Sequence, residues 1–108
     1  MSECLGRAFI FSGRPDPTWR IEQEQARRLE AVWDELAPFV GQRPAGPPLG
    51  YRGCSMVCGL KQEYTAFGGA VTKRVSGVAE VREDPARRFE KLLLATAPKG
   101  LLPEGLPS

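Results

Sequence analysis

The chain of 108 residues contains no histidine. Histidine is the only side chain whose unperturbed pKa lies near neutrality, and it is the commonest metal ligand and general base in proteins. Its absence excludes Ser-His and Cys-His catalytic pairs, and it also excludes zinc or iron sites built on imidazole. An enzyme with this composition would depend on a carboxylate, a lysine or a thiolate, and no grouping of such residues stands out along the chain.

The sequence also lacks an excess of charge of either sign and any long apolar run. Lys and Arg number 15 and Asp and Glu number 13, which leaves a net charge of +2. A nucleic-acid-binding protein concentrates basic residues on one face because phosphate neutralisation supplies most of its affinity, so we expect no nucleic-acid partner. The apolar runs are too short for a membrane span or a signal peptide, and we expect a cytoplasmic protein with no membrane partner.

Cysteine is scarce, with residues only at Cys4, Cys54 and Cys58. We expect a reducing compartment to keep all three as thiols. Cys54, Met56 and Cys58 alternate along the chain, so on one face of a strand they would offer soft sulfur ligands for Cu(I) or a thiol redox pair. Alternate strand residues lie about 7 Å apart, which is wide for one small ion, and the same residues also suit a core of small hydrophobic side chains. We therefore expect no cofactor and keep the sulfur site as an alternative.

Glycine and proline, by contrast, are abundant, with 12 and 10 residues. They cluster between segments of regular apolar spacing, and they therefore indicate turns rather than disorder. A chain of this length is expected to form one domain, which we place at residues 1–98. Residues 99–108 are rich in proline and glycine and predict a loosely held tail.

Apolar spacing predicts the element order β-α-β-β-β-α. Residues 5–11 are apolar and aromatic, which predicts an internal strand. Apolar residues recur every three or four positions between residues 21 and 37, which predicts a helix that ends before Pro38. Three strands are expected between residues 51 and 83. The Gly68-Gly69 pair is interpreted as a bulge within one of them.

A second helix is predicted after residue 83, since Asp84 suits the cap position and Pro85 the first helical position. The first helix lies between two strands, and this arrangement implies a parallel crossover. The expected fold is therefore an α/β (α+β) two-layer sandwich, with two helices on one face of a four-stranded mixed sheet.

The stretch FSGRPDPTW at residues 11–19 holds two prolines and a glycine between aromatic residues. One interpretation is a rigid loop that presents Arg14, Asp16 and Trp19 to a partner, because loops on a rigid scaffold often carry function. The other interpretation is a structural corner, in which the prolines set the turn and Trp19 packs into the core. The corner is the favoured interpretation, although a corner requires only one proline and a glycine rather than this density.

Together these patterns favour a small non-catalytic accessory or adaptor protein that binds a larger enzyme, or that enzyme's protein or peptide substrate. Small size, balanced charge and the missing catalytic pairs support this hypothesis, and arginine and aromatic residues are common at interfaces. An exposed strand edge could also take up a peptide. Two alternatives stay open: the sulfur-ligand metal or thiol redox protein, and a small enzyme that uses a carboxylate or a thiolate.

Overall fold

The structure is a computed structural model that describes residues 3–10, 15–40, 51–59 and 61–103. Within these residues it contains six strands and two helices. The strands are β1 (Cys4–Ala8), β2 (Thr18–Ile21), β3 (Cys54–Cys58), β4 (Gln62–Phe67), β5 (Ala70–Val75) and β6 (Val78–Glu83), and the helices are α1 (Gln23–Glu35) and α2 (Arg88–Ala95). Neither helix is long and apolar enough to cross a membrane.

The strands form one antiparallel sheet in the order β2-β1-β3-β4-β5-β6. The prediction of a four-stranded mixed sheet is therefore wrong. It missed β2, which lies between the proline-rich segment and α1 and pairs with β1. Because β2 reverses the chain before α1 begins, β3 returns antiparallel to β1 and no parallel crossover is needed. The prediction that the first strand is internal is confirmed, since β1 lies between β2 and β3.

A second error concerns the two consecutive glycines. Gly68 and Gly69 have φ angles of 61° and 87°, and they form the turn that joins β4 to β5 rather than a bulge inside one strand. Two positive φ angles in succession give a two-residue turn whose twist matches that of a hairpin. Ser76 and Gly77, with φ angles of 49° and 86°, repeat this arrangement between β5 and β6.

Both helices pack on the same face of the sheet, and Tyr64 of β4 lies at the centre of this face. Trp33 of α1 meets the Tyr64 ring edge-on at 5.9 Å, and Phe89 of α2 stacks on it at 5.6 Å. Complete burial of side chains such as Phe89 contributes about 1.5–3 kcal/mol each relative to exposure. The apolar stripe of α1 consists of Ala26, Leu29, Val32 and Trp33.

Helix α2 begins later than the sequence predicts. Asp84 does not act as its N-cap residue, and Pro85 precedes the helix, which begins at Arg88. Asp84 instead lies outside the helix and accepts hydrogen bonds from the backbone N–H groups of Phe89 and Glu90 through Oδ2, over 3.0 and 3.3 Å. The carboxylate thus satisfies first-turn donors that have no partner within the helix.

The two edges of the sheet differ. Residues 37–40, which follow α1, cover part of the β6 edge: Phe39 N–H donates to Val81 O (3.1 Å), and Glu83 N–H donates to Ala37 O (2.7 Å). At the opposite edge, no segment among the described residues pairs with the outer side of β2. The sheet therefore offers one strand edge that the described part of the chain leaves open.

The end of the described chain lies against the domain, with Leu102 packed on the core. The division into a domain at 1–98 and a tail at 99–108 stays a prediction, and residues 104–108 lie outside the described residues.

Candidate functional site

A pocket of about 870 Å³ opens between the first turns of α1 and the sheet. Its floor is a single row across four neighbouring strands, in which Ile21 lies opposite Cys4, Cys4 opposite Cys58, and Cys58 opposite Gln62. We call this cavity the α1 pocket. Since Ile21 belongs to the edge strand β2, the α1 pocket adjoins the open edge of the sheet.

The walls of the α1 pocket carry charges of both signs. Helix α1 contributes the buried Ala26 and, beside it, Arg27 and Glu30. Neither Arg27 nor Glu30 has an ion-pair partner among the described residues. Arg20 of β2 lies 3.5 Å from Glu3 in an exposed ion pair. The pocket thus combines a floor of Ile21, the disulfide and the polar Gln62 with a charged rim, which suits a guest that has both an apolar and a polar part.

A disulfide joins Cys4 to Cys58 on this floor, with Cα atoms 4.2 Å apart. The backbone hydrogen bond at this point of the sheet joins the neighbouring residues, since Gly59 N–H donates to Glu3 O over 3.2 Å. Cys4 and Cys58 therefore form a non-hydrogen-bonded pair, the arrangement in which facing side chains of an antiparallel sheet lie closest together. The prediction that all three cysteines are thiols is wrong for these two. Disulfides persist in oxidising surroundings, which agrees poorly with the reducing compartment expected above. The compartment itself stays a prediction.

Cys54, Met56 and Cys58 are all buried on the helix-covered face of β3, where their alternation places them. The sulfur of Cys58 is bonded to Cys4, so it is not available as a thiolate ligand while the disulfide is intact. No group of three or more cysteine or acidic side chains suited to a metal ion occurs in the part of the chain that the structure describes. The Cu(I) alternative therefore requires reduction of the disulfide first.

The predicted partner loop is only partly described, since Arg14 lies outside the described residues. Asp16 Oδ1 accepts a hydrogen bond from Ile10 N–H over 2.9 Å, and this bond closes the connection between β1 and β2. Trp19 is 4% exposed, and its Nε1 donates to Thr96 Oγ1 over 2.8 Å. Both contacts brace a corner, and the indole is almost fully buried within it. That Arg14, Asp16 and Trp19 contact a partner stays a prediction.

Gly6 explains how the Trp19 indole fits against the sheet. Gly6 lies opposite Trp19 in the register of β1 and β2. A Cβ atom added to Gly6 would lie 2.6 Å from Trp19 Nε1, so only glycine leaves room for the ring. The packing at this corner thus depends on the Trp19 side chain of β2 and on the absence of a side chain at Gly6 of β1.

A cluster of buried titratable side chains joins β3 to α2. Tyr51 Oη donates to Glu90 Oε2 over 2.5 Å, and Cys54 Sγ lies 3.9 Å from the backbone oxygen of Glu90. Cys54 is 0% and Glu90 1% exposed. Among the described residues, Glu90 Oε1 and Asp84 Oδ1 have no hydrogen-bond partner.

Burial is the main cause of the pKa shifts in this cluster. It raises the pKa of the Glu90 carboxyl and that of the Tyr51 hydroxyl, and it raises the pKa of the Cys54 thiol to about 12. A thiolate or carboxylate enzyme would find its reactive groups here, but Cys54 and Glu90 are both closed off from a substrate. The arrangement supports a structural role, which is to hold α2 against β3.

Sequence reasoning missed Glu90, although a signal for it exists. Glu90 precedes Leu93 and Leu94 by three and four residues, so it lies on the buried stripe of α2. A single acidic residue within an apolar stripe indicates a buried carboxyl with a specific partner. The pairing of Cys4 with Cys58 carries no comparable signal, because 54 residues separate the two cysteines along the chain.

Comparisons of this chain with protein-family models, with curated proteins and with solved structures give no match. Two adjoining features remain as the candidate site: the open edge of β2 and the α1 pocket.

Proposed function

We propose that the protein is a non-catalytic accessory or adaptor protein that binds an extended segment of a partner protein along β2. The observation that carries the proposal is that the open edge of the sheet adjoins the α1 pocket. A peptide that adds a strand to a sheet gains affinity from main-chain hydrogen bonds and specificity from pockets for alternate side chains. The two features supply these two contributions side by side.

The hydrogen-bonding direction of β2 follows from its pairing with β1. Ala8 N–H donates to Pro17 O over 3.2 Å. Because main-chain groups in an antiparallel ladder alternate in direction, Trp19 and Ile21 direct theirs toward β1, whereas Thr18 and Arg20 direct theirs outward. The N–H and C=O groups of Thr18 and Arg20 are thus placed to pair with one added strand.

The opposite edge supports the choice of β2. Residues 37–40 already occupy main-chain groups of β6 at Val81 and Glu83. Proteins commonly cover edge strands because an uncovered edge invites pairing with another chain. Because the described residues cover part of the β6 edge and leave β2 open, they favour strand addition at one side of the sheet.

The α1 pocket would accept a side chain of the added strand. Successive side chains of a strand point to opposite faces of a sheet, so every second residue of the guest would lie on the face that carries the α1 pocket. Ile21 and the disulfide form the floor near the edge, and Arg20 and Arg27 lie at the rim. This environment favours a side chain with an apolar stem and a polar end.

The test uses two substitutions at one position, Arg20→Pro and Arg20→Ala. Proline removes the outward N–H donor, and edge strands tolerate it where that N–H faces solvent. Alanine removes the side chain but keeps the donor. Random ten-residue peptides displayed on phage are selected on the wild-type protein, and their binding to each variant is measured. We expect binding to be about two- to tenfold weaker in R20P than in R20A, as one lost hydrogen bond predicts, because both variants lack the arginine side chain and only R20P lacks the donor.

Hydrogen exchange supplies the second measurement. The backbone amides of Thr18 and Arg20 should become protected when a selected peptide binds, whereas those of β6 should not change. Thr18→Pro serves as a second variant if R20P does not fold, as judged by circular dichroism. Equal peptide binding by wild type and the proline variants, or protection confined to another surface, would contradict the proposal. So would edge-to-edge pairing of two copies of the chain, detected by sedimentation, with no peptide selected.

A further inference from the structure

We propose that the Cys4–Cys58 disulfide is a thiol–disulfide exchange site for a small amino-acid thiol, one that carries an ammonium and a carboxylate group and enters through the α1 pocket. This exchange is independent of peptide binding at the β2 edge, so each activity can fail without the other. The two bonded cysteines belong to the core and also line the α1 pocket, which places the bond between them at the border of the cavity.

The row across the sheet determines how the bond can be approached. Ile21 lies on the Cys4 side of the disulfide, and Gln62 lies on the Cys58 side. All four residues line the same cavity of about 870 Å³, which is large enough for a molecule of amino-acid size. Cys4 and Cys58 keep only 7% and 6% of their surface exposed, and a thiol within the α1 pocket would reach the bond through the part of each cysteine that lines the cavity.

Cys54 provides the contrast within the same strand. It lies four residues before Cys58 on the same face of β3, but it is 0% exposed and its sulfur lies 3.9 Å from the backbone oxygen of Glu90. Burial raises the pKa of its thiol to about 12. Since the thiolate is the reactive form, Cys54 should stay inert while the disulfide reacts.

The exchange is balanced in two steps. A small thiolate attacks one sulfur of the disulfide, a mixed disulfide forms, the Cys4–Cys58 bond breaks, and the other cysteine leaves as a thiolate. A second small thiolate then attacks the small-molecule sulfur of the mixed disulfide and releases the first cysteine. Two small thiols are oxidised to their disulfide, the protein disulfide is reduced by two electrons, and both cysteines take up the protons that the thiols released. The reverse reaction oxidises the protein.

The charges at the rim indicate the chemical class of the thiol. Arg27 and Glu30 lie one helical turn apart on α1, and neither has an ion-pair partner among the described residues. They are complementary to the carboxylate and the ammonium group of an amino acid. Glu3 and Glu22 also line the α1 pocket and make its rim slightly acidic, so a thiol that carries only a carboxylate fits less well than one that carries both charges.

The experiment compares L-cysteine with uncharged 2-mercaptoethanol as reductants of the folded protein. Reduction is followed by alkylation and mass spectrometry, which identify each modified cysteine. We expect rates proportional to thiol concentration, alkylation of Cys4 and Cys58, and no alkylation of Cys54 until urea is added. For each reagent we measure the rate at which it reduces the protein disulfide. The rate with L-cysteine divided by the rate with 2-mercaptoethanol should be about threefold higher in the folded protein than in urea, which is the effect expected from exposed charge pairs.

Arg27→Ala and Glu30→Gln provide the matched variants, because both side chains lie outside the buried core. Each should lower this ratio toward its value in urea, without changing the rate with 2-mercaptoethanol. A rate that becomes independent of thiol concentration and equals the unfolding rate would overturn the proposal, as would alkylation of Cys54 together with the other two. An unchanged ratio in both variants would overturn the assignment of an amino-acid thiol.

Discussion

Replacement of Tyr51 by phenylalanine should lower the free energy of unfolding by about 1–3 kcal/mol, the cost of leaving a buried polar group without its partner. Tyr51 Oη lies 2.5 Å from Glu90 Oε2. Glu90 is 1% exposed, so bulk water does not replace the lost hydroxyl. For a chain of this size the change corresponds to a fall of roughly 4–13 °C in Tm.

Glu90 also makes stability depend on pH with a definite sign. Burial raises the pKa of its carboxyl, so the folded state holds this proton more tightly than the unfolded chain does. Its contribution to stability is complete below the pKa of an unfolded glutamic acid and is lost as the pH rises through the raised pKa. Glu90→Gln cannot titrate and keeps an acceptor for Tyr51. The stability of the variant relative to wild type should therefore increase as the pH rises above the ordinary pKa of a glutamic acid, until the Glu90 carboxyl of the folded wild type has also lost its proton.

Urea unfolding followed by circular dichroism measures both effects in wild type, Y51F, E90Q and the double variant. Tyr64→Phe is the matched control, because Tyr64 is 0% exposed but its hydroxyl pairs with the neutral Gln62 side chain over 2.9 Å. The control should lose about 0.5–1.5 kcal/mol, with no added dependence on pH. Equal unfolding free energies for wild type and Y51F would refute the reasoning. So would a difference between wild type and E90Q that stays constant with pH.

Three further predictions concern β1, β2 and their contacts. Gly6→Ala should lower the free energy of unfolding by about 1–3 kcal/mol in thermal denaturation, because the new Cβ would meet the Trp19 ring. Removal of the disulfide by the paired changes Cys4→Ala and Cys58→Ala should cost about 4 kcal/mol in urea unfolding, from the entropy of the loop that it closes. Thr96→Val should leave the Trp19 indole N–H without its acceptor and speed its hydrogen exchange, measured by NMR.

The spacing of apolar residues along the chain predicted the helices and strands whose formation depends mainly on neighbouring residues. The spacing of Ala26, Leu29 and Trp33 identified α1, and the alternation of Cys54, Met56 and Cys58 identified one face of β3. These periodicities follow from the geometry of a helix and of a strand, and each needs only a short window of residues. The two helices were therefore found in the right order, with errors of a few residues at their ends.

The missing strand shows where local patterns fail. β2 is only four residues long and follows two prolines, so its composition favours a turn over a strand. Its stability comes from elsewhere: from pairing with β1, and from the Trp19 hydrogen bond to Thr96, which is 77 residues away. A sequence window around β2 contains neither contact. The omission then changed the expected direction of β3 and hence the class of the sheet.

The candidate site was beyond sequence reasoning for a similar reason. The α1 pocket depends on a row that brings Ile21, the disulfide and Gln62 together from four strands, and register across strands is not visible in any one of them. The prolines in residues 11–19 predict a turn or a rigid loop, and they carry no information about the pocket. In the structure the described part of this stretch serves mainly to hold β2 at the border of the sheet.

The segment that follows α1 also limits how large an assembly of this protein can become. Pro38 bridges to Arg82, and its neighbours bind the same border strand, so growth of the sheet through β6 is blocked there. Two molecules that joined through β2 would each occupy, in one symmetric contact, the strand edge that the described residues leave open, and the covered part of β6 would not accept a third molecule. Association by this route ends in a closed pair and does not propagate into a filament.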